Sequence, residues 1–190
     1  MLHLLLQDPT IHVMALITTI RESDQKINIH ETLSAELDWQ AEQLAIPLYK
    51  VPLPSPCPNP IYIERIHQVL APLKVHGLTH LAFGDLFLKD IRDFRESHFG
   101  KEYQLLFPLW GIDTKDLAFR IIQVGIKARI VAVDENKLPL AFIGRNYDAT
   151  FLLELPKNVD PCGENGEFHT FVYGSPDFIR RNSDTFKKTE

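Results

Sequence analysis

The sequence has little cysteine. Cys57 and Cys162 are its only two, too few and too far apart for a disulfide scaffold. Neither stands in a Cys-x-x-Cys pair, so no zinc site is indicated, and both are expected to be free thiols in a reducing compartment. A surplus of positive charge is also missing. Lys and Arg number 20 against 25 Asp and Glu, a formal net charge of -5, which argues against a broad nucleic-acid-binding face. No stretch approaches the roughly 20 apolar residues of a membrane span. Met1–Leu6 is apolar, but it lacks a basic flank, and Gln7-Asp8-Pro9 follows at once with no small-residue cleavage site, so a signal peptide is not expected. A cytoplasmic protein without membrane contact is the expectation. No internal repeat or low-complexity segment is present.

What remains is ordinary for a globular chain: 190 residues, 45% hydrophobic and 24% charged, enough to hide roughly 70% of the unfolded surface in one domain. Met1–Gln7 reads as the end of a helix stopped by Asp8-Pro9. His12–Ile20 fits a buried parallel strand. From Glu31 to Leu44, Leu33, Leu37, Ala41 and Leu44 recur at helical spacing, with Glu36, Asp38 and Glu42 opposite. Ile46–Val51 reads as a strand. Pro52–Pro60 carries five prolines and reads as a loop. Ile61–His76 is helical and stopped by Gly77, and Thr79–Phe83 is a third strand. Leu86–Glu96 has helical spacing, and Gln104–Phe107 a short strand. Asp113-Thr114 can cap a helix to Val124, closed by Gly125. Ala128–Val133, Tyr147–Leu155 and Phe168–Tyr173 read as strand, helix and strand. Strands alternating with helices predict a mostly parallel α/β sheet covered on both faces. In such sheets ligands sit at the carboxyl ends of the strands.

Four positions after strands therefore carry the functional candidates. Thr18-Thr19 offers two hydroxyls to a nucleotide, or is simply a pair of β-branched strand residues. Gly84-Asp85 is followed by Asp90, Arg92, Asp93, Arg95 and Glu96. Arginine forks suit phosphate or carboxylate, and a solvated helix face with i,i+4 ion pairs is the plain alternative. Trp110 can wall a pocket or fill the core, and Asp113 can be a cap and nothing more. Asp160–Thr170 holds Glu164 and Glu167 around the turn Asn165-Gly166, with Gly163 before it and His169 after. Such carboxylates can orient an amine or act as a base, or the segment is an ordinary Asn-Gly turn. No second His stands at ligand spacing to His169, so no metal ligand is assigned. A nucleophilic Cys162 beside His169 is a minor option.

Phe83–Glu96 (FGDLFLKDIRDFRE), Pro108–Leu117 (PLWGIDTKDL) and Pro161–Val172 (PCGENGEFHTFV) resemble three motifs of the diphthine–ammonia ligase family. That family is a branch of the PP-loop, or adenine nucleotide alpha-hydrolase, superfamily. The resemblance runs from Leu4 to about Phe178. It implies a doubly wound, Rossmann-like, mostly parallel domain over 1–135 and a small C-terminal subdomain over 136–178, with a flexible tail over 179–190. It also implies an ATP-dependent ligase. ATP, with Mg2+ screening its phosphates, adenylates a carboxylate and releases pyrophosphate; ammonia then displaces AMP. The partners implied are ATP, ammonia and a carboxylate acceptor such as a protein side chain; in the eukaryotic enzyme this is diphthine on elongation factor 2. Another PP-loop activity on a tRNA or small molecule, or a non-catalytic nucleotide-binding remnant, stands as the alternative.

By motif, the resemblance points to Asp85, Glu164 and Glu167 as catalytic. Gly84, Asp90, Arg92, Arg95, Gly163, Gly166, His169 and Thr170 are the substrate or phosphate contacts, and Thr18 and Thr19 the nucleotide contacts. Two departures stand out: a Glu often stands where this chain has His169, which points to an acceptor other than diphthine, and Glu31 follows His30 where relatives have glycine, so the contacts of that pair do not carry over. The largest departure is at the start. The family opens with a strand and a Ser-Gly-Gly-Lys-Asp-Ser loop that grips pyrophosphate through backbone N–H groups. It is expected just before Met1, so the first strand and the phosphate anchor are expected to be missing, through a downstream start codon or a real loss.

Overall fold

A computed structural model describes residues 1–23 and 34–179. His30, Glu31 and the tail from residue 180 lie outside the described residues. The elements run α1 (Leu2–Gln7), β1 (Leu16–Arg21), α2 (Ser34–Leu44), β2 (Leu48–Leu53), α3 (Asn59–Val75), β3 (His80–Ala82) and α4 (Lys89–Phe99). Then come β4 (Gln104–Leu106), α5 (Thr114–Gln123), β5 (Lys127–Val133), a 3-10 turn (Leu140–Phe142), α6 (Ala149–Glu154) and β6 (Phe168–Gly174). The expected alternation is there.

Local chemistry explains most boundaries. Asp113 accepts from the N–H groups of Lys115 and Asp116 and starts α5; Asp148 accepts from Phe151 N–H and starts α6. Both satisfy helix amides that have no partner inside the helix. Two boundaries differ from the sequence reading. Strand β2 runs through Pro52 instead of ending before it. Pro47 and Leu53 turn their carbonyls to β1, accepting from Leu16 and Glu22. Pro52, out of step with them, points its ring nitrogen at the open edge, where a missing N–H costs no ladder bond. Helix α4 starts at Lys89, three residues later than its spacing predicts, because Leu86 is pinned outside the helix.

Hydrogen bonding among the described strands makes three pairs instead of one continuous sheet. Pairs β1–β2 and β3–β4 are parallel, and β5–β6 is antiparallel. The antiparallel pair arises because β6 returns along β5 after the connection through α6. The two parallel pairs share one core: Val51, Leu53, Ile66, Leu70, Phe99 and Tyr103 are buried together, with Ile17, Leu81 and Phe83 packed against them. A second cluster gathers Ala118, Ala128 and Ile130 with Leu138, Tyr147, Phe151, Val159 and Phe168, so its packing runs across position 135. Each Val, Leu, Ile or Phe among them contributes about 1.5–3 kcal/mol when fully buried. A third, small cluster of Leu86, Leu109 and Leu117 is touched by Leu4, Ile121 and Cys162, the last two of which also pack on the second cluster. The last described residues are tied down: Asp177 bonds His3 Nδ1 at 2.9 Å, and Trp39 packs on Phe171 and Phe178. No described helix is long and apolar enough to cross a membrane.

Candidate functional site

The loop from β3 to α4 (residues 83–88) and the turn before β6 (residues 160–167) meet. Leu86 is 5% exposed in the third cluster, and its C=O accepts from Gly111 N–H at 2.9 Å. Its own N–H donates to Glu164 Oε1 at 2.8 Å, across 78 residues of sequence. That bond brings the two acidic and arginine-bearing motifs together.

The 160–167 turn is built to present Glu164. Gly163 sits at φ +70°, where a Cβ would lie 2.8 Å from Phe168 O; only glycine fits. Glu164 N–H donates to Asp160 Oδ2 at 2.8 Å. Glu167, 2% exposed, points inward and accepts from Asp160 N–H, Asn165 N–H and Asn165 Nδ2 at 3.0–3.1 Å. Burial pushes its pKa up, but these hydrogen bonds outweigh burial and hold it below the ordinary glutamate value. Glu164 moves the other way: burial, and the nearby Asp85 and Asp160 charges, raise its pKa despite the Leu86 bond.

On the α4 side, arginines and aromatic rings alternate. Arg95 lies over Phe83 (4.7 Å), Phe83 stacks on Phe107 (5.6 Å), and Arg92 lies over both Phe107 (4.6 Å) and Trp110 (4.7 Å). Rings hold a flat guanidinium by about 0.5–2 kcal/mol and leave its edge free to bond. Arg92 Nε uses part of that edge on Glu96 at 2.7 Å. Arg95 Nη1 donates to Tyr62 OH at 2.7 Å and faces Asp85 at 3.6 Å.

The structure therefore gathers Gly84, Asp85, Arg92, Arg95 and Glu164 into one cluster after β3. Gly163 and Gly166 shape the turn, and Glu167 is enclosed by it. His169 and Thr170 lie on β6 opposite Ala132 and Ile130; His169 is half-buried, and burial lowers its pKa. Asp90 is exposed in the first turn of α4. Thr18 and Thr19 are in the middle of β1, opposite Lys50 and Val51, instead of at its end. Trp110 walls Arg92, and Asp113 is a cap. Burial, then the Asp160 charge, pushes the Cys162 thiol up to about 12, so it is a poor thiolate. Tyr62 was not found by sequence reasoning; nothing local pairs it with Arg95, 33 residues on. No group of three His, Cys, Asp or Glu among the described residues is arranged to hold a metal ion. A separate hollow of about 430 Å³, lined by His67, Lys74, Glu102 and Tyr103 among others, contains none of these residues.

Residues 113–185 match a family model described as the diphthamide synthase C-terminal domain. The chain is 30% identical over 165 residues to a diphthine–ammonia ligase of Bos taurus, an alignment covering 76% of this chain and 60% of that protein. The family-model match and this identity together support placing the chain with the diphthine–ammonia ligases. The diphthine–ammonia ligase of Homo sapiens is 29% identical with the same coverage, so the chain spans about 60% of the length of these curated relatives. Within the family-model segment lies the whole 160–167 turn; Asp85, Arg92 and Arg95 precede it. The Glu164–Leu86 bond is thus also a link, beside the Leu117–Leu86 packing, between the matched C-terminal segment and the loop that bears Asp85.

Proposed function

We propose that the chain serves ATP-dependent amide formation of the diphthine–ammonia ligase kind. The observation that carries this is the Glu164–Leu86 bond, which joins two segments that resemble ligase motifs, one of them bearing Arg92 and Arg95. A carboxylate is a poor electrophile, and its mixed anhydride with AMP is a good one. A carboxylate oxygen attacks the α-phosphorus of ATP and pyrophosphate leaves. Ammonia attacks the acyl carbon, the bond to AMP breaks, and nitrogen loses a proton. Arg92, held flat by Phe107 and Trp110, presents its fork to a carboxylate or phosphate. Arg95 adds positive charge beside it, and Asp85 accepts a hydrogen bond from ammonia. Glu164 and Glu167 support these groups from the turn. No step is assigned to protein-bound metal; Mg2+ accompanies the triphosphate.

The one-sided pairing of β1 and β3 among the described residues, and their shared core on α3, favour a further reading. Both parallel pairs are then parts of one doubly wound sheet; Thr18 and Thr19 are consecutive on β1, so only one of the two hydroxyls faces the nucleotide side. Residues 1–190 contain no Ser-Gly-Gly-Lys-Asp-Ser run, so none of them is assigned to gripping pyrophosphate, and weak MgATP binding by this polypeptide is expected. The deciding experiment is pyrophosphate release from ATP with candidate carboxylates and ammonium. Release that requires both supports the ligase; release without either, or driven by tRNA, replaces it with another PP-loop activity.

A further inference from the structure

Leu86 is held from three sides. Its side chain is packed with Leu109 and Leu117, its C=O is bonded by Gly111, and its N–H is bonded by Glu164. The first two anchors come from the neighbouring β4–α5 stretch. The third comes from the distant turn, which is itself stiff: Glu164 N–H is bonded to Asp160, and Glu167 closes the turn from inside. Asp85 is the residue before Leu86. The peptide unit between them is planar, so fixing the Leu86 amide fixes the place of the Asp85 Cα, from which the carboxylate reaches to 3.6 Å from Arg95.

We infer that Glu164 is a positioning residue: its Oε1, by accepting from Leu86 N–H, holds the β3–α4 loop so that Asp85 faces Arg95. The C-terminal turn thereby sets the geometry of the arginine cluster without touching a reactant. What Glu164 supplies is an acceptor oxygen at the right reach. Its negative charge is opposed by Asp85 and Asp160. The link to catalysis rests on the ligase reading; the holding of the loop does not.

Two substitutions in the full chain separate oxygen from charge. Glu164→Gln keeps an acceptor at the same reach and removes the charge. Glu164→Asp keeps the charge and shortens the side chain by about 1.5 Å, one carbon–carbon bond. The Leu86 amide is expected to exchange with solvent within roughly threefold of the native rate in Glu164→Gln, and roughly tenfold faster in Glu164→Asp. Pyrophosphate release should follow the same order, with the loss in kcat and not in KM for ATP. An unchanged Leu86 exchange rate in Glu164→Asp overturns the inference. So does a Glu164→Gln protein that keeps Leu86 protected yet loses activity, which makes the charge a direct participant. If the native chain releases no pyrophosphate, the ligase reading fails, and the exchange comparison still decides whether Glu164 holds the loop.

Discussion

Asp85 and Arg95 face each other at 3.6 Å without closing a hydrogen bond. Asp85 Oδ2 and Arg95 Nε are both buried and lack a hydrogen-bond partner among the described residues. Arg95 is instead held by Tyr62 OH and the Phe83 ring. Buried polar atoms left unbonded cost free energy and concentrate where groups are kept ready for another partner.

Tyr62→Phe removes one acceptor from Arg95 and little volume. Urea unfolding should show a loss of about 1 kcal/mol, and pyrophosphate release should fall with it. Arg95→Lys should be worse on both counts, because an ammonium has neither the fork nor the flat face that lies on Phe83. Equal effects from the two substitutions would mean the Tyr62 bond, and not the stack, sets the arginine.

Gly163→Ala and Gly166→Ala test the turn. Both glycines have positive φ, +70° and +77°, but only Gly163 has an atom in the way: Phe168 O lies 2.8 Å from where a Cβ would stand, whereas Gly166 has nothing within 4 Å. Gly166→Ala should cost about 1 kcal/mol of strain. Gly163→Ala should cost about 2–3 kcal/mol, since backbone must also shift. Chemical denaturation of the two variants under one condition gives the comparison.

Glu167 and Glu164 should have opposite pH signatures. A folded-state pKa below the ordinary value, as for Glu167, gives stability that is full above the ordinary glutamate range and is lost as pH falls through the folded value. The raised pKa of Glu164 gives the reverse: its contribution is full below the ordinary value and is lost as pH rises through the folded one. Glu167→Gln should therefore be less stable than native at pH 7, with the gap narrowing from about pH 5 downward as the native carboxylate takes up its proton. Stability measured by denaturant at several pH values checks this; a gap constant from pH 7 to 3 would contradict it.

Strand edges give a prediction without any substitution. Leu16 N–H points to β2 and Phe83 N–H to β4, so Ile17 and Thr19 on β1, and His80 and Ala82 on β3, point their amides away from those partners. In residues 1–190 these four should exchange with solvent faster than Thr18, Ile20 and Leu81. Uniform protection along β1 would show that both its edges are covered.

Much of the fold was legible because its signals are local. Asp113 and Asp148 sit where capping oxygens are needed, Gly77 and Gly125 end helices, and apolar periodicity marks strands and helices. The composition, the three motifs and the acidic turn were enough to name a family. The start of α4 was misplaced because Leu86 has a helix-compatible side chain and spacing, while its backbone is claimed by Glu164 and Gly111.

The sequence by itself determined the alternation of β and α, the caps and the glycine turn, since each depends on neighbours within a few residues. Only the tertiary structure decided that Glu167 turns inward while Glu164 reaches Leu86, that Tyr62 holds Arg95, and that the strands pair as two parallel couples and one antiparallel. Those outcomes rest on hydrogen bonds and ring contacts between residues far apart in the chain. Such bonds leave no periodic or compositional trace, because one carboxylate looks like another until the fold sets its distance to a donor.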